Sequence, residues 1–169
     1  MCMAMPACER VDLSFVETAP FRFVSTVELP ITPEQLFEVL ADAQSWPQWA
    51  TVITDVTWTS PEPRGVGTTR TVTMRGGIVG DEEFLAWEPF RHMAFRFNEA
   101  SRGGIAAFAE DYRVVRTPGG CHLTWVMAMK PAGLAARVGM TLGRPLMGAV
   151  FQKFLYNLRE YCVKRFATT

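Results

Sequence analysis

At 169 residues the chain suits one domain whose core is large enough to need neither disulfides nor a structural metal. Apolar residues make up 49% and charged residues 20%, and the 17 basic and 17 acidic side chains cancel. That balance argues against a nucleic-acid binder, which carries a basic excess or stripe, and no run of about eighteen apolar residues is present to span a membrane.

Over residues 1–20, Glu9, Arg10, Asp12 and Glu17 interrupt any apolar stretch of signal-peptide length. This segment reads as an extension of uncertain order ahead of a single domain at 21–169. Cys2, Cys8, Cys121 and Cys162 share no metal-ligand or redox spacing. Free thiols of this kind point to a reducing, cytoplasmic setting, with no metal site and no cofactor expected.

Phe21–Leu29 alternates, with Phe23, Ser25, Val27 and Leu29 on one face, and predicts a half-buried strand. Thr32-Pro33-Glu34-Gln35 then starts a helix: Thr32 caps, Pro33 sits where a missing N–H costs nothing, and Gln35 completes a capping box. Trp46-Pro47-Gln48-Trp49 ends that helix and opens a second short one, and its two indoles are expected to pack the helices. From here the period is two. Strands are predicted at 52–58, 68–74, 79–87, 91–99, 105–116 and 121–129, separated by Gly- and Pro-rich turns. Short links between successive strands imply an antiparallel meander. The Gly76–Gly80 run opens no helix, so it is a hairpin and not a phosphate loop.

From Ala132 to Phe166 the pattern is helical, with Met147, Val150, Phe151, Phe154, Leu158 and Tyr161 on one stripe and Pro145 expected to interrupt it. The preceding segment, 132–143, is rich in Gly and Ala. It reads either as a soft lid over a cavity or as small residues that let the helix pack closely on the sheet.

This order and four passages resemble the SRPBCC, or START-like, superfamily, and within it the polyketide cyclase/dehydrase and lipid-transport proteins. The passages are Thr32–Asp42 running into Trp46-Pro47-Gln48-Trp49, Gly65–Thr68, Trp87–Phe95, and Gly119–Trp125 with the terminal helix. The resemblance spans about 21–166. It implies an α+β helix-grip fold: a seven-stranded curved antiparallel sheet wrapped around a long C-terminal helix, with two short helices after the first strand. It also implies an enclosed apolar cavity. The superfamily's cargo is diverse, so function is left to the site. Its oxygenase members carry an iron-binding histidine and carboxylate set, whereas His92 and His122 here lie in no such motif and read as surface.

Alternation places Val72 and Met74 inward, with Arg70 beside them. Met93, Phe95 and Phe97 face inward on another strand, as do Phe108, Glu110 and Tyr112, and Trp125 and Met127. Phe84, Met147, Phe151 and Phe154 complete the expected ligand-binding wall. Between strands the register is open: a two-residue turn at Gly76-Gly77 pairs Arg70 with Glu83, while a bulged turn brings Glu82 inward. Arg70, Glu110, Tyr112 and one of Glu82/Glu83 are thus the candidate polar groups, for orienting a ligand or for catalysis. No paired-carboxylate or nucleophile–base signature stands out.

Two functions compete. One is binding or transport of a small hydrophobic molecule (lipid, fatty acid or polyketide-like aromatic) by a monomer or homodimer. The other is a metal-free cyclase or dehydratase using Glu110 or Glu82/Glu83 for proton transfer, Arg70 to polarise a carbonyl and Tyr112 to donate to an oxyanion. A protein-interaction module would need a large exposed apolar patch, which the composition does not predict.

Overall fold

A computed structural model of the chain describes residues 5–167. The expectations for residues 1–4 of the extension, Cys2 included, lie outside the described residues. The seven strands are β1 (Phe21–Leu29), β2 (Ile53–Trp58), β3 (Thr69–Met74), β4 (Ile78–Glu88), β5 (His92–Ala100), β6 (Ile105–Thr117) and β7 (Gly120–Pro131). They form one antiparallel sheet in the order β1-β7-β6-β5-β4-β3-β2. Strands β2 to β7 are a meander, and β1 joins β7 from Phe21↔Met129 to Leu29↔Cys121. The helices are α1 (Phe15–Thr18), α2 (Pro33–Ala41), α3 (Trp46–Trp49) and α4 (Leu134–Phe166), with a 3-10 turn at Ala43–Ser45. This is the expected helix-grip fold.

The capping box forms: Gln35 N–H donates to Thr32 Oγ1 at 3.2 Å and Thr32 N–H to Gln35 Oε1 at 3.0 Å. Helices α2 and α3 carry the chain from β1, one edge of the sheet, to β2, the other. Asn157 Nδ2 donates to the Trp49 carbonyl at 3.1 Å and fastens α3 to α4. The core lies between the inward faces of the strands and the second half of α4, where Phe154, Leu155, Leu158 and Cys162 are buried.

Residues 6–9 pair with β5 and β6, with Cys8 packed in the main core, and α1 then lies on the outer face of the sheet. The amides of Cys8 and Glu9 donate to the Asn98 and Ala106 carbonyls, both at 2.8 Å. Val16 of α1 packs against Ala109 and Val126.

Three local expectations are corrected. Helix α4 runs through Pro145 without a break. The proline is solvent-exposed, so water can satisfy the carbonyl its missing N–H leaves free. His92 is buried, not at the surface: its Nε2 lies 2.5 Å from Asp111 Oδ1, and Arg113 Nε donates to Asp111 Oδ2 at 2.8 Å. It stands next to a turn, but its cross-strand partners bury it there. Finally, an exposed apolar patch does exist, on the first half of α4, where Leu134, Val138, Leu142 and Leu146 stand in solvent. Overall composition says nothing about how such residues cluster.

Candidate functional site

A cavity of about 360 Å³ opens between the sheet, α3 and α4. Val72 and Met74 of β3, Phe97 of β5, Phe108, Glu110 and Tyr112 of β6, Trp125, Met127 and Met129 of β7, and Phe151 and Phe154 of α4 line it. Val52, Ile53, Ile78, Ala100, Arg102, Gly103 and Ile105 also line it, and of these Val52, Arg102 and Gly103 are exposed to solvent. The walls are apolar, as strand alternation requires when one face of a sheet is enclosed. The volume sits at the small end of the roughly 300–1,000 Å³ range of ligand pockets.

Not every inward residue reaches the cavity. Phe84, Met93 and Phe95 are fully buried in the core beside it, and Met147 packs half-buried against that core. Arg70 also stands behind the wall. Conversely, Trp46 and Trp49 both line the cavity. Their i, i+3 spacing puts two indoles on one face of a one-turn helix, which was the available signal. Trp46 is satisfied by the Leu40 carbonyl at 3.0 Å, whereas Trp49 Nε1 is buried with no partner among the described residues.

The polar groups form two linked clusters. The β3–β4 connection is a three-residue turn, Met74 opposite Ile78, so Arg70 faces Glu82. Arg70 is 1% exposed and its Nε donates to Glu82 Oε2. Its guanidinium lies 4.3 Å from the Trp46 ring centre, 4.6 Å from Phe95, 5.0 Å from Phe84 and 5.6 Å from Trp58. Such an aromatic box stabilises a desolvated cation through the negative faces of the rings. Arg70 Nη1 has no hydrogen-bond partner among the described residues. The same register puts Glu83 on the outer face, where Asn98 Nδ2 donates to it at 2.8 Å and Arg96 Nη2 at 3.2 Å. Those bonds hold its carboxyl below the usual range. Glu83 is thereby removed as a cavity acid, because one extra turn residue moves it to the other face.

In the second cluster the Tyr112 hydroxyl donates to Glu110 Oε2 at 2.5 Å and Trp125 Nε1 donates to the same oxygen at 2.9 Å. Burial, and then the nearby Glu82 charge, push the Glu110 carboxyl up to about 7. Burial likewise raises Glu82, opposed by Arg70, and pushes the Tyr112 phenol well above its ordinary value. Glu82 and Glu110, 28 positions apart, are thus brought to the same cavity by the register of three strands, with no local motif to announce it. The buried thiols are poor nucleophiles: burial pushes Cys121 up to about 11 and Cys162 up to about 12. No group of three or more His, Cys, Asp or Glu is placed to hold a metal ion among the described residues.

Comparison with known proteins agrees with this architecture. The family model described as polyketide cyclase/dehydrase and lipid transport matches residues 20–163. Uncharacterized proteins of Mycobacterium tuberculosis and Mycobacterium bovis are 66% identical over 163 residues, covering 96% of this chain and 97% of theirs. The Thermus thermophilus protein TTHA0849 superimposes with a TM-score of 0.71 at 13% identity, over 88% of this chain and 100% of that one. XoxI of Bacillus cereus does so at 0.66 and 14%, over 84% and 95%. DynU16, from the dynemicin biosynthetic locus, matches at 0.62 and 16%, over 83% of this chain and 46% of that one. At such identities the solved structures carry the fold alone, but the family match spans the sheet, the short helices and nearly all of α4. The chain belongs to the polyketide cyclase/dehydrase and lipid transport family.

Proposed function

We propose that the chain binds one small, largely apolar molecule bearing a hydrogen-bond-accepting oxygen, held in the cavity between sheet and α4. The observation that carries this reading is the apolar cavity itself, whose wall includes Trp49 with a buried indole N–H that has no hydrogen-bond partner among the described residues. A buried donor left unpaired costs about 1–3 kcal/mol, which a ligand oxygen would recover. The methionines at 74, 127 and 129 give the wall the adaptability that suits a range of apolar shapes. Buried free thiols at Cys8, Cys121 and Cys162 support a cytoplasmic setting.

Native mass spectrometry of the purified protein, followed by extraction, tests for a co-purified molecule. In parallel, quenching of tryptophan fluorescence compares 2-acetonaphthone with 2-ethylnaphthalene. The ketone should bind more tightly, and Trp49→Phe should abolish the difference while leaving the hydrocarbon's affinity unchanged. If neither compound binds and nothing co-purifies, the reading fails.

One observation favours catalysis as a second reading: a carboxyl raised to about 7 exchanges protons readily at neutral pH. In a dehydratase-type step Glu110 would take the proton from the carbon next to a ligand carbonyl. A carbon–carbon double bond then forms as the β-hydroxyl departs with that proton as water. Glu110→Gln would abolish turnover and keep ligand affinity; equal loss of both would leave only the binding role.

A further inference from the structure

The sheet is split at one end. Strands β5 and β6 pair from His92↔Arg113 to Arg96↔Ala109, and beyond Arg96 they part. The loop that joins them is pulled both ways. Its first residue, Ser101, is tied to β4: its N–H donates to the Val79 carbonyl and its hydroxyl accepts from the Val79 amide, both at 2.8 Å. Its last residue, Gly104, accepts from the Ala132 amide, just past the end of β7, at 2.9 Å. The β4–β5 and β6–β7 ladders also shift register near this end, at Asp81/Glu82 and at Ile105/Ala107, and such irregularities bend strands.

Residues 6–9 fill the gap. Ala7 forms an antiparallel bridge with Glu99, and the Ala100 N–H donates to the Pro6 carbonyl at 3.0 Å. On the other side the Glu9 N–H reaches the Ala106 carbonyl, so the segment satisfies backbone groups of both parted strands. Its hold is slight. Of residues 5–10, Cys8 alone is buried. Ion pairs of Glu9 with Lys130 at 2.8 Å and of Arg10 with Glu83 at 3.9 Å lie near the surface, where they contribute little. The chain is fastened again from Val11, whose carbonyl accepts from Arg96 Nη1 at 2.8 Å, and then by buried Val16. Residues 5–10 are thus a strap anchored at its far end, and so few buried contacts place it among the segments that open locally.

Behind the strap is the cavity. Phe97 and Ala100 on one side of the gap, and Ile105 and Phe108 on the other, all line it. The Phe97 and Phe108 rings meet across the gap with centres 4.2 Å apart. We propose that residues 6–9 are a gate: when the strap leaves, the gap between β5 and β6 becomes a side entrance through which ligand reaches the cavity. The inference rests on the ligand-binding reading above. A gate of this kind sets how fast ligand enters and leaves, and not how tightly the closed protein holds it.

A covalent lock tests this in the full chain. The bonds at Pro6 and Cys8 flank the Ala7–Glu99 pair, making it a non-hydrogen-bonded pair, whose Cα atoms lie about 4.5 Å apart in such ladders, within the reach of a disulfide. Oxidised Ala7→Cys with Glu99→Cys should slow association and dissociation of 2-acetonaphthone by about tenfold or more in stopped-flow tryptophan quenching, with Kd unchanged, because the competent open fraction falls. Dithiothreitol should restore the parent rates, and Ala7→Cys alone should match the parent. Cys8→Asp, which sets a charge at the strap's one buried position, should speed both rates. Hydrogen exchange of the free protein reads the opening itself: the Cys8, Glu9 and Ala100 amides should exchange faster than those of the β6–β7 ladder. A locked protein that exchanges 2-acetonaphthone at the parent rate, or strap amides as slow as that ladder, would overturn the gate. If the reduced protein binds no 2-acetonaphthone, the ligand-binding reading fails instead, and the amide exchange still decides whether the strap opens.

Discussion

The Tyr112 hydroxyl donates to Glu110 Oε2 at 2.5 Å, and Trp125 Nε1 completes the pair of donors on that oxygen at 2.9 Å. Both bonds favour the carboxylate, yet burial and the neighbouring Glu82 outweigh them, and the carboxyl stands at about 7 against an ordinary 4.5. Because the folded state holds this proton more tightly than the unfolded chain, the folded state binds more protons between the two values, and stability falls as pH rises from about 4.5 to 7.

The Glu110→Gln variant should remove that slope. The amide oxygen can still accept from Tyr112 and Trp125, and no charge is buried above neutrality. At pH 8 the variant should be more stable than the parent by up to about 3 kcal/mol, taking about 1.4 kcal/mol per pKa unit, and the two should converge toward pH 4.5. Urea unfolding across pH 5–8 measures it; parallel curves for the two proteins would show that Glu110 is not the titrating group.

Arg70 and Glu82 should behave as one unit. Arg70→Leu leaves the Glu82 carboxylate buried without its cation, which costs about 3–5 kcal/mol, and empties the aromatic box of Trp46, Trp58, Phe84 and Phe95. The double variant Arg70→Leu with Glu82→Gln should recover more than half of that loss. A double-mutant cycle in urea gives the coupling; additive losses would mean that the two groups are independently solvated.

Gly80 controls the cavity from the neighbouring strand. A Cβ there would lie 2.8 Å from the Phe97 ring tip, and Phe97 lines the cavity. Gly80→Ala should therefore displace that ring into the cavity and weaken 2-acetonaphthone binding by about tenfold, equivalent to about 1.4 kcal/mol. Unchanged affinity would mean that the ring moves the other way.

Glycines of α4 and of the β6–β7 turn should respond in opposite directions. A Cβ at Gly139 meets nothing within 4 Å, and at Gly143 only Met147 Sδ at 4.0 Å, so these glycines do not serve close packing. Gly139→Ala should stabilise the protein by about 1 kcal/mol through helix propensity alone. Gly120 has φ +146° and a Cβ there would lie 2.1 Å from the Leu29 carbonyl oxygen, where the end of β1 crosses the turn. Gly120→Ala should cost about 2–3 kcal/mol. Thermal melts separate the two, and a destabilising Gly139→Ala would show that the flexibility of α4 is needed for folding.

Much of the architecture was legible in the chain because period-two alternation and turn residues are local. Phe21–Leu29 alternates with its own turn signals, Thr32 and Gln35 cap over three residues, and each hairpin announces itself with Gly or Pro. The inward set on β6 and β7, from Phe108 to Tyr112 and from Trp125 to Met129, followed from the same parity. What alternation cannot supply is depth along a strand. It could not tell that Phe97 reaches the cavity while Phe84, Met93 and Phe95 sink into the core, since that depends on how the sheet closes over α3 and α4.

Sequence alone therefore determined the element order, the family and the existence of an apolar inner face, all of which rest on contacts between near neighbours. Tertiary structure decided the polar site. The single added residue in the β3–β4 turn chose Glu82 over Glu83, and strand order then brought Glu82 within electrostatic reach of Glu110. It also left Leu134, Val138, Leu142 and Leu146 of α4 exposed, because periodicity gives a helix its faces but not its neighbours.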